Sequence, residues 1–179
     1  SLVLATRTAR GASTSVTPTE ADGDAPPVPP AALSGPSRLV LNERSSPRRR
    51  RLITVINGSL PESVRRRVSI YGHDAARWGV HRAESAEAVL ADVPCSSEAH
   101  VLADAAELAK WSAGRMKRNA TLQHAIIASA IDTVRPGGYV LYATCALTPV
   151  ENDDVVEWAL RRRGDAIRAV PAAGVRFDS

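Results

Sequence analysis

Residues Arg135–Val156 read RPGGYVLYATCALTPVENDDVV. The Pro and Gly residues at the front break whatever helix precedes them. The apolar run Tyr139–Cys145 follows, rich in aromatic and branched residues, and reads as a buried strand. Pro149 then opens a helix with acids in its first turns and Arg161–Arg163 in its last, the order the helix macrodipole favours. Helix, turn, strand and helix in succession make one unit of an alternating α/β chain.

The same alternation extends upstream. Lys117–Val134 places Leu122, Ile126, Ile127, Ala130, Ile131 and Val134 at helical spacing, which predicts one apolar face. Before it come three short apolar runs, each ending in polar residues: RLVLNE from Arg38, RVSIYGHD from Arg67, and AVLADVP from Ala88 to Pro94. Between the first two lies SSPRRRRLITVI, with Pro47 placed for a first helical turn. Continuous apolar strands alternating with helices predict a parallel sheet covered on both faces, a doubly wound Rossmann-like α/β domain. In such sheets ligands bind beyond the carboxyl ends of the strands. Here those ends carry Asn42 and Glu43, His73 and Asp74, Asp92 to Ser97, and Thr144 with Cys145, so they should line one rim.

Composition narrows the class. Apolar residues make up 44% of the 179, enough for a core, but aromatics only 4%, so the core must rest on aliphatic side chains. The net charge of +4 and the clustered arginines favour a polyanionic partner. Two cysteines are too few for a disulfide framework, and a reducing compartment is the simpler reading. No apolar run approaches the ~20 residues a membrane helix needs. The four histidines show no metal-ligand spacing, and His124 on the long helix reads as structural. The runs Arg48–Arg51, Arg65–Arg67 and Arg161–Arg163 read as solvated faces or as tracks for a phosphate backbone.

Two sets of rim residues carry chemistry. An acid at a strand end such as Glu43 is a common holder of the ribose hydroxyls of an adenosine cofactor, and Asp74 after the next strand is placed for an adenine amino group. The bland alternative is that each acid caps a helix. Cys95 and Cys145 each follow a strand. A thiolate adds readily to C6 of a pyrimidine and so makes C5 nucleophilic toward an electrophilic methyl group. Asp92, close before Cys95, suits a hydrogen bond to the ring at N3. The alternative is that both cysteines are small buried hydrophobes.

These residues carry a resemblance. DVPCSS is similar to the Asp-Ala-Pro-Cys-Ser motif of the NOL1/NOP2/Sun (NSUN) family of RNA cytosine-5 methyltransferases. RPGGYVLYATCALTPVENDDVV resembles its Lys-Pro-Gly-Gly, Tyr-Ser-Thr-Cys-Ser and Glu-Asn-Glu block, and LQHAIIASAI its Leu-Gln helix. GHDAARWG resembles its third motif, most like the branch acting on mitochondrial ribosomal RNA. The resemblance covers about Arg38–Val156. It implies Cys145 as the nucleophile, Cys95 as the thiol that assists product release, and Asp92 as the acid on the target base. It implies that Glu43 and Asp74, with Asp92 beside them, hold S-adenosyl-L-methionine, and that Lys117 and Arg118 touch RNA phosphate. It further implies an rRNA or ribosomal-particle substrate, a helical-repeat partner resembling termination factors, and a mitochondrial setting, with nucleolus or cytoplasm as alternatives. A ribosome-assembly factor of the same shape, with catalysis dispensable or lost, is the competing reading.

The family's Gly-rich Pro-Gly-Gly-Lys turn, and the central first strand that leads into it, have no counterpart in these residues, nor do the last strands. The sheet is therefore expected to be incomplete. Residues 1–10 read as the remnant of a helix, 11–36 as a Pro-rich loop or insertion, and 37–179 as a partial methyltransferase domain within a longer protein.

Overall fold

The computed structural model describes residues 2–7, 38–96 and 112–170. The Pro-rich stretch 11–36 lies outside the described residues. Strand β1 (Leu2–Arg7) is followed by β2 (Leu39–Asn42), α1 (Ser46–Ser59), α2 (Glu62–Arg65) and β3 (Val68–Tyr71). A 3-10 turn at Ala75–Arg77 leads into α3 (Trp78–His81) and β4 (Ala86–Asp92). Then come α4 (Ala113–Thr133), β5 (Val134–Ala143), α5 (Asp153–Arg163) and β6 (Ile167–Val170).

The strands form two sheets. One has the order β4-β5-β1-β6, and the other pairs β2 with β3. β2 and β3 are parallel, as are β4 and β5, as the apolar runs predict. Two expectations are corrected. Leu2–Arg7 is a strand, not the remnant of a helix, and it runs antiparallel to both β5 and β6. An extended segment between those two strands satisfies backbone N–H and C=O groups on both sides at once, which a helix there cannot do. The larger sheet is consequently mixed rather than all parallel.

The second correction concerns burial. β2 reads as a buried strand, yet Leu39 and Val40 are half exposed. Among the described residues, β2 is hydrogen-bonded only to β3, and α1 has no buried side chain. Among the described residues β4 likewise pairs only with β5, and Leu90 is 64% exposed. The edges of β2 and β4 that the expected central strand would join are therefore unpaired among the described residues.

The core lies under the larger sheet. Ile127 and Ile131 of α4 pack with Val140 and Tyr142 of β5 and with Val155 of α5, all nearly inaccessible. Each aliphatic side chain so buried contributes about 1.5–3 kcal/mol relative to exposure. The apolar face of α4 is as expected from Ile126 onward, but Leu122 is 38% exposed and Gln123 is fully buried in its place. The turn after α4 explains RPGG. Ala86 pairs with Val134 and Ala88 with Tyr139, so the residues between are looped out. Gly137 has φ 82°, a backbone region disfavoured for other residues. A Cβ on Gly138 would lie 2.5 Å from the Glu87 carbonyl oxygen.

The β2–β3 unit is tied to this core through α3. Gly79 N–H donates to Ser129 Oγ at 2.8 Å, and the Glu84 and Ser85 N–H groups cap the last carbonyls of α4 at Asp132 and Thr133. Trp78 meets Tyr71 of β3 edge to face, centroids 5.5 Å apart.

Candidate active site

The parallel pair β4–β5 builds the centre of the site. Asp92 is level with Ala143 at the ends of the strands, and Val93 N–H donates to the Ala143 carbonyl at 3.1 Å. Pro94 then ends β4 because it has no N–H to continue the ladder. The two chains leave the sheet side by side, and this brings the thiols together: Cys95 Sγ lies 2.6 Å from Cys145 Sγ. Cys145 is exposed and Cys95 partly buried. Asp92 is exposed at the same edge.

The second pair of strand ends carries the acids. Asn42 and His73 tie β2 to β3: the Asn42 amide donates to the His73 carbonyl at 3.1 Å and accepts from its N–H at 2.9 Å. Glu43 Oε1 accepts from Ser45 N–H at 2.8 Å, at the entry to α1, and Oε2 pairs with Arg48 Nε at 2.9 Å. Asp74 Oδ1 accepts from Ala76 N–H at 3.1 Å, and Oδ2 faces Arg44 Nη1 at 3.8 Å. Asp74 therefore caps the 3-10 turn that follows it, Glu43 bonds the residue before α1 without capping that helix, and both also meet an arginine. Tyr71, His73 and Trp78 gather beside Asp74, with Tyr71 and His73 stacked at 5.6 Å. A flat ring can rest on such a group.

Lys117 and Arg118 are exposed in the early turns of α4, whose first N–H groups are capped by Ser112 Oγ accepting from Arg115 N–H. The arginine runs are partly used up within the fold. Arg163 binds Asp132 at 2.8 Å and the Ala128 carbonyl, Arg65 the Asn57 carbonyl, Arg66 Glu62, and Arg161 Glu157. Arg50 and Arg51 remain exposed. His124 is structural in placement: it stacks on Trp158 at 4.3 Å, and burial lowers its pKa.

A polar cluster to which the sequence analysis gives no role lies directly behind the thiols. Glu151 is completely buried, and its Oε2 accepts from Ser96 N–H at 3.0 Å and from Gln123 Nε2 at 2.8 Å. Gln123 Nε2 also donates to the Pro94 carbonyl at 2.9 Å. The Tyr142 hydroxyl donates to the Glu151 carbonyl at 2.8 Å. Burial first, then the Glu151 carboxyl and Cys95, holds that phenol well above its ordinary pKa, so it stays a donor. Asn152 Nδ2 donates to the Ala146 and Thr148 carbonyls, both at 2.9 Å. The signal in the sequence was a glutamine on the apolar side of a helix and an acid–amide pair behind a proline.

Comparison with known proteins identifies a family for the chain. The family described as 16S rRNA methyltransferase RsmB/F matches residues 33–174. "Ribosomal RNA small subunit methyltransferase F" of Klebsiella pneumoniae (strain 342) is 32% identical over 141 residues, 79% of this chain and 29% of that protein. The protein of the same name from Erwinia tasmaniensis is 33% identical over the same shares of each chain. The chain thus spans less than a third of these relatives' length. Among solved structures, PH0851 aligns with a TM-score of 0.62 at 24% identity, over 70% of this chain and 28% of that one. NSun6 from Pyrococcus horikoshii with SFG aligns at 0.56 and 25% identity, over 70% of this chain and 30% of that one. The first is a likeness of fold alone, and both fit a Rossmann-like methyltransferase sheet. The chain belongs to the 16S rRNA methyltransferase RsmB/F family, within the wider Sun group of enzymes.

Proposed function

We propose that this chain carries the catalytic centre of an S-adenosylmethionine-dependent RNA cytosine-5 methyltransferase acting on ribosomal RNA. The observation that carries the reading is the meeting of Cys95 and Cys145 at the ends of two paired parallel strands. Two thiols in contact suit a reaction that must both form and resolve a covalent adduct. Cys145, the more exposed, adds through its thiolate sulfur to C6 of the target cytosine. The C5=C6 electron pair becomes nucleophilic at C5, and Asp92, as its carboxylic acid, donates its proton to the ring at N3 as charge shifts there and takes it back when the adduct resolves. Once C5 carries the new methyl group, a base takes the C5 proton. The electron pair of that C–H bond restores C5=C6, and the Cys145–C6 bond breaks to return the thiolate. Cys95 assists this release. The cytosine must leave its stack to reach an exposed thiol at a sheet edge.

The residues present fit the cofactor. Glu43 and Asp74 follow adjacent parallel strands and offer carboxyl oxygens to hydroxyl and amino groups, and Tyr71, His73 and Trp78 offer aromatic faces and edges. Their arginine partners are exposed and easily displaced. S-adenosylmethionine, when bound, supplies the electrophilic methyl group. Lys117 and Arg118 are the proposed contacts to RNA phosphate. The resemblance to the mitochondrial branch is the support for a mitochondrial ribosomal particle and a helical-repeat protein as setting and partner; copurification from fractionated cells tests both.

Trapping tests the chemistry. RNA containing 5-fluorocytosine should form a covalent adduct with the full-length protein. Cys145→Ala should abolish it, and Cys95→Ala should make the adduct with natural RNA accumulate. Methylation that survives both substitutions would remove the assignment.

One observation favours the second reading, a ribosome-assembly factor with dispensable catalysis: both cofactor acids are engaged by arginines. Calorimetry on the full-length protein separates the two, since a scaffold would give no heat with S-adenosylmethionine.

A further inference from the structure

Each cysteine is followed by a residue whose backbone is held by the same short segment. Ser96, after Cys95, donates its N–H to the Glu151 carboxyl at 3.0 Å. Ala146, after Cys145, gives its carbonyl to the Asn152 amide at 2.9 Å. Glu151 and Asn152 are consecutive, and both are buried. Tyr142 of β5 fixes this segment to the sheet by donating to the Glu151 carbonyl, and Gln123 fixes it to α4.

We propose that Glu151 and Asn152 are positioning residues that act as a two-armed clamp and set the separation of the two catalytic thiols. The proposal rests on the cysteine roles given above. A loop has little intrinsic preference for one separation, and Cys95 and Cys145 lie on two different loops. A shared anchor converts two independent loop positions into one. Glu151 is a costly way to fill a core. A buried carboxyl must recover its lost hydration from hydrogen bonds, and Oε1 has no hydrogen-bond partner among the described residues. An apolar side chain of similar size would fill the space without that demand, but it would leave the Ser96 N–H unheld. Asn152 meets the opposite requirement, a donor for a carbonyl. The two side chains thus match the polarity of the two backbone groups they hold.

The test measures thiol separation directly, without methylation. Diamide oxidises two neighbouring thiols to a disulfide while the azo compound takes up the two hydrogens. Closure of Cys95–Cys145 is read in the full-length protein by intact mass and thiol count. Glu151→Ala and Asn152→Ala should each slow closure about tenfold while keeping the wild-type circular dichroism. Glu151→Gln keeps an acceptor oxygen for Ser96 and should stay within about threefold of wild type. Folded alanine variants that close at the wild-type rate would overturn the clamp. If the alanine variants do not fold, Glu151→Gln decides: a wild-type rate supports the proposal and a tenfold loss in a folded protein overturns it. Slowed closure in a protein that never methylates RNA supports the clamp and counts only against the proposed activity.

Discussion

The Sγ atoms of Cys95 and Cys145 lie 2.6 Å apart although 50 residues separate them in the chain. The register of β4 against β5 does most of this, since Asp92 and Ala143 are level and each cysteine follows within a few residues. The two thiols nevertheless differ in access, with Cys145 exposed and Cys95 partly buried.

Alkylation should reveal that difference. With limiting iodoacetamide, the first label should fall on Cys145, as read by peptide mass spectrometry, because attack needs an accessible sulfur. The Cys145→Ser variant should label more slowly overall. A first label on Cys95 would reverse the proposed order of the two roles.

The seat of α3 on α4 depends on one missing side chain. A Cβ on Gly79 would lie 2.5 Å from the Ser129 carbonyl oxygen and 2.8 Å from Asp132 Cβ. Neither atom is the end of a flexible chain. Gly79→Ala should lower stability by about 1–3 kcal/mol, seen as a lower urea midpoint. Gly58, inside α1, has nothing within 4 Å of its would-be Cβ. Gly58→Ala should therefore stabilise by about 0.5–1 kcal/mol. Equal effects at the two positions would contradict the packing of α3.

His124 gives a pH dependence with a defined sign. Burial against Trp158 lowers its pKa below the ordinary 6.5, so the folded protein holds a neutral imidazole where the unfolded chain holds a charged one. The unfolded state binds more protons in that window, so stability rises with pH there. The contribution is complete above 6.5 and is lost as pH falls from 6.5 through the folded value. Denaturation of wild type and His124→Leu should diverge in their pH dependence only below about 6.5, with the wild type falling more steeply. Parallel curves across that range would show that His124 is not desolvated in solution.

How much of this was legible follows from what is local. α4, α5 and β3 to β5 come from periodicity and from the Pro and Gly punctuation, and both cysteines were placed at strand ends by the same reading. The run Leu2–Arg7 is too short to separate strand from helix, and its role depends on β5 and β6, far along the chain. The exposure of Leu39 and Leu90 depends on which strand edges stay uncovered. At Leu122 and Gln123 a rotation of one residue on α4 exchanges inside for outside, and the hydrogen-bond partners of Gln123 lie at Pro94 and Glu151. Glu151 and Asn152 look like acid and amide at an ordinary helix start. Their partners Ser96, Gln123 and Ala146 reveal that they face inward.

The arginines at the cofactor acids make the last prediction. Arg48 pairs with Glu43 at 2.9 Å through a side chain that is 70% exposed, while Glu43 is 21% exposed. If Glu43 holds ribose hydroxyls, the cofactor must compete with this pair for the carboxyl. An exposed pair contributes little, so the competition is mild. Arg48→Ala should tighten S-adenosylmethionine binding to the full-length protein by about two- to fivefold, measured by calorimetry. Glu43→Ala should weaken it by more, because it removes an acceptor for the ligand rather than a competitor. The double variant should match Glu43→Ala alone, since without the carboxyl the arginine has nothing to block. Arg48→Ala that weakens binding would place the guanidinium on the ligand and would assign Glu43 to holding the arginine instead.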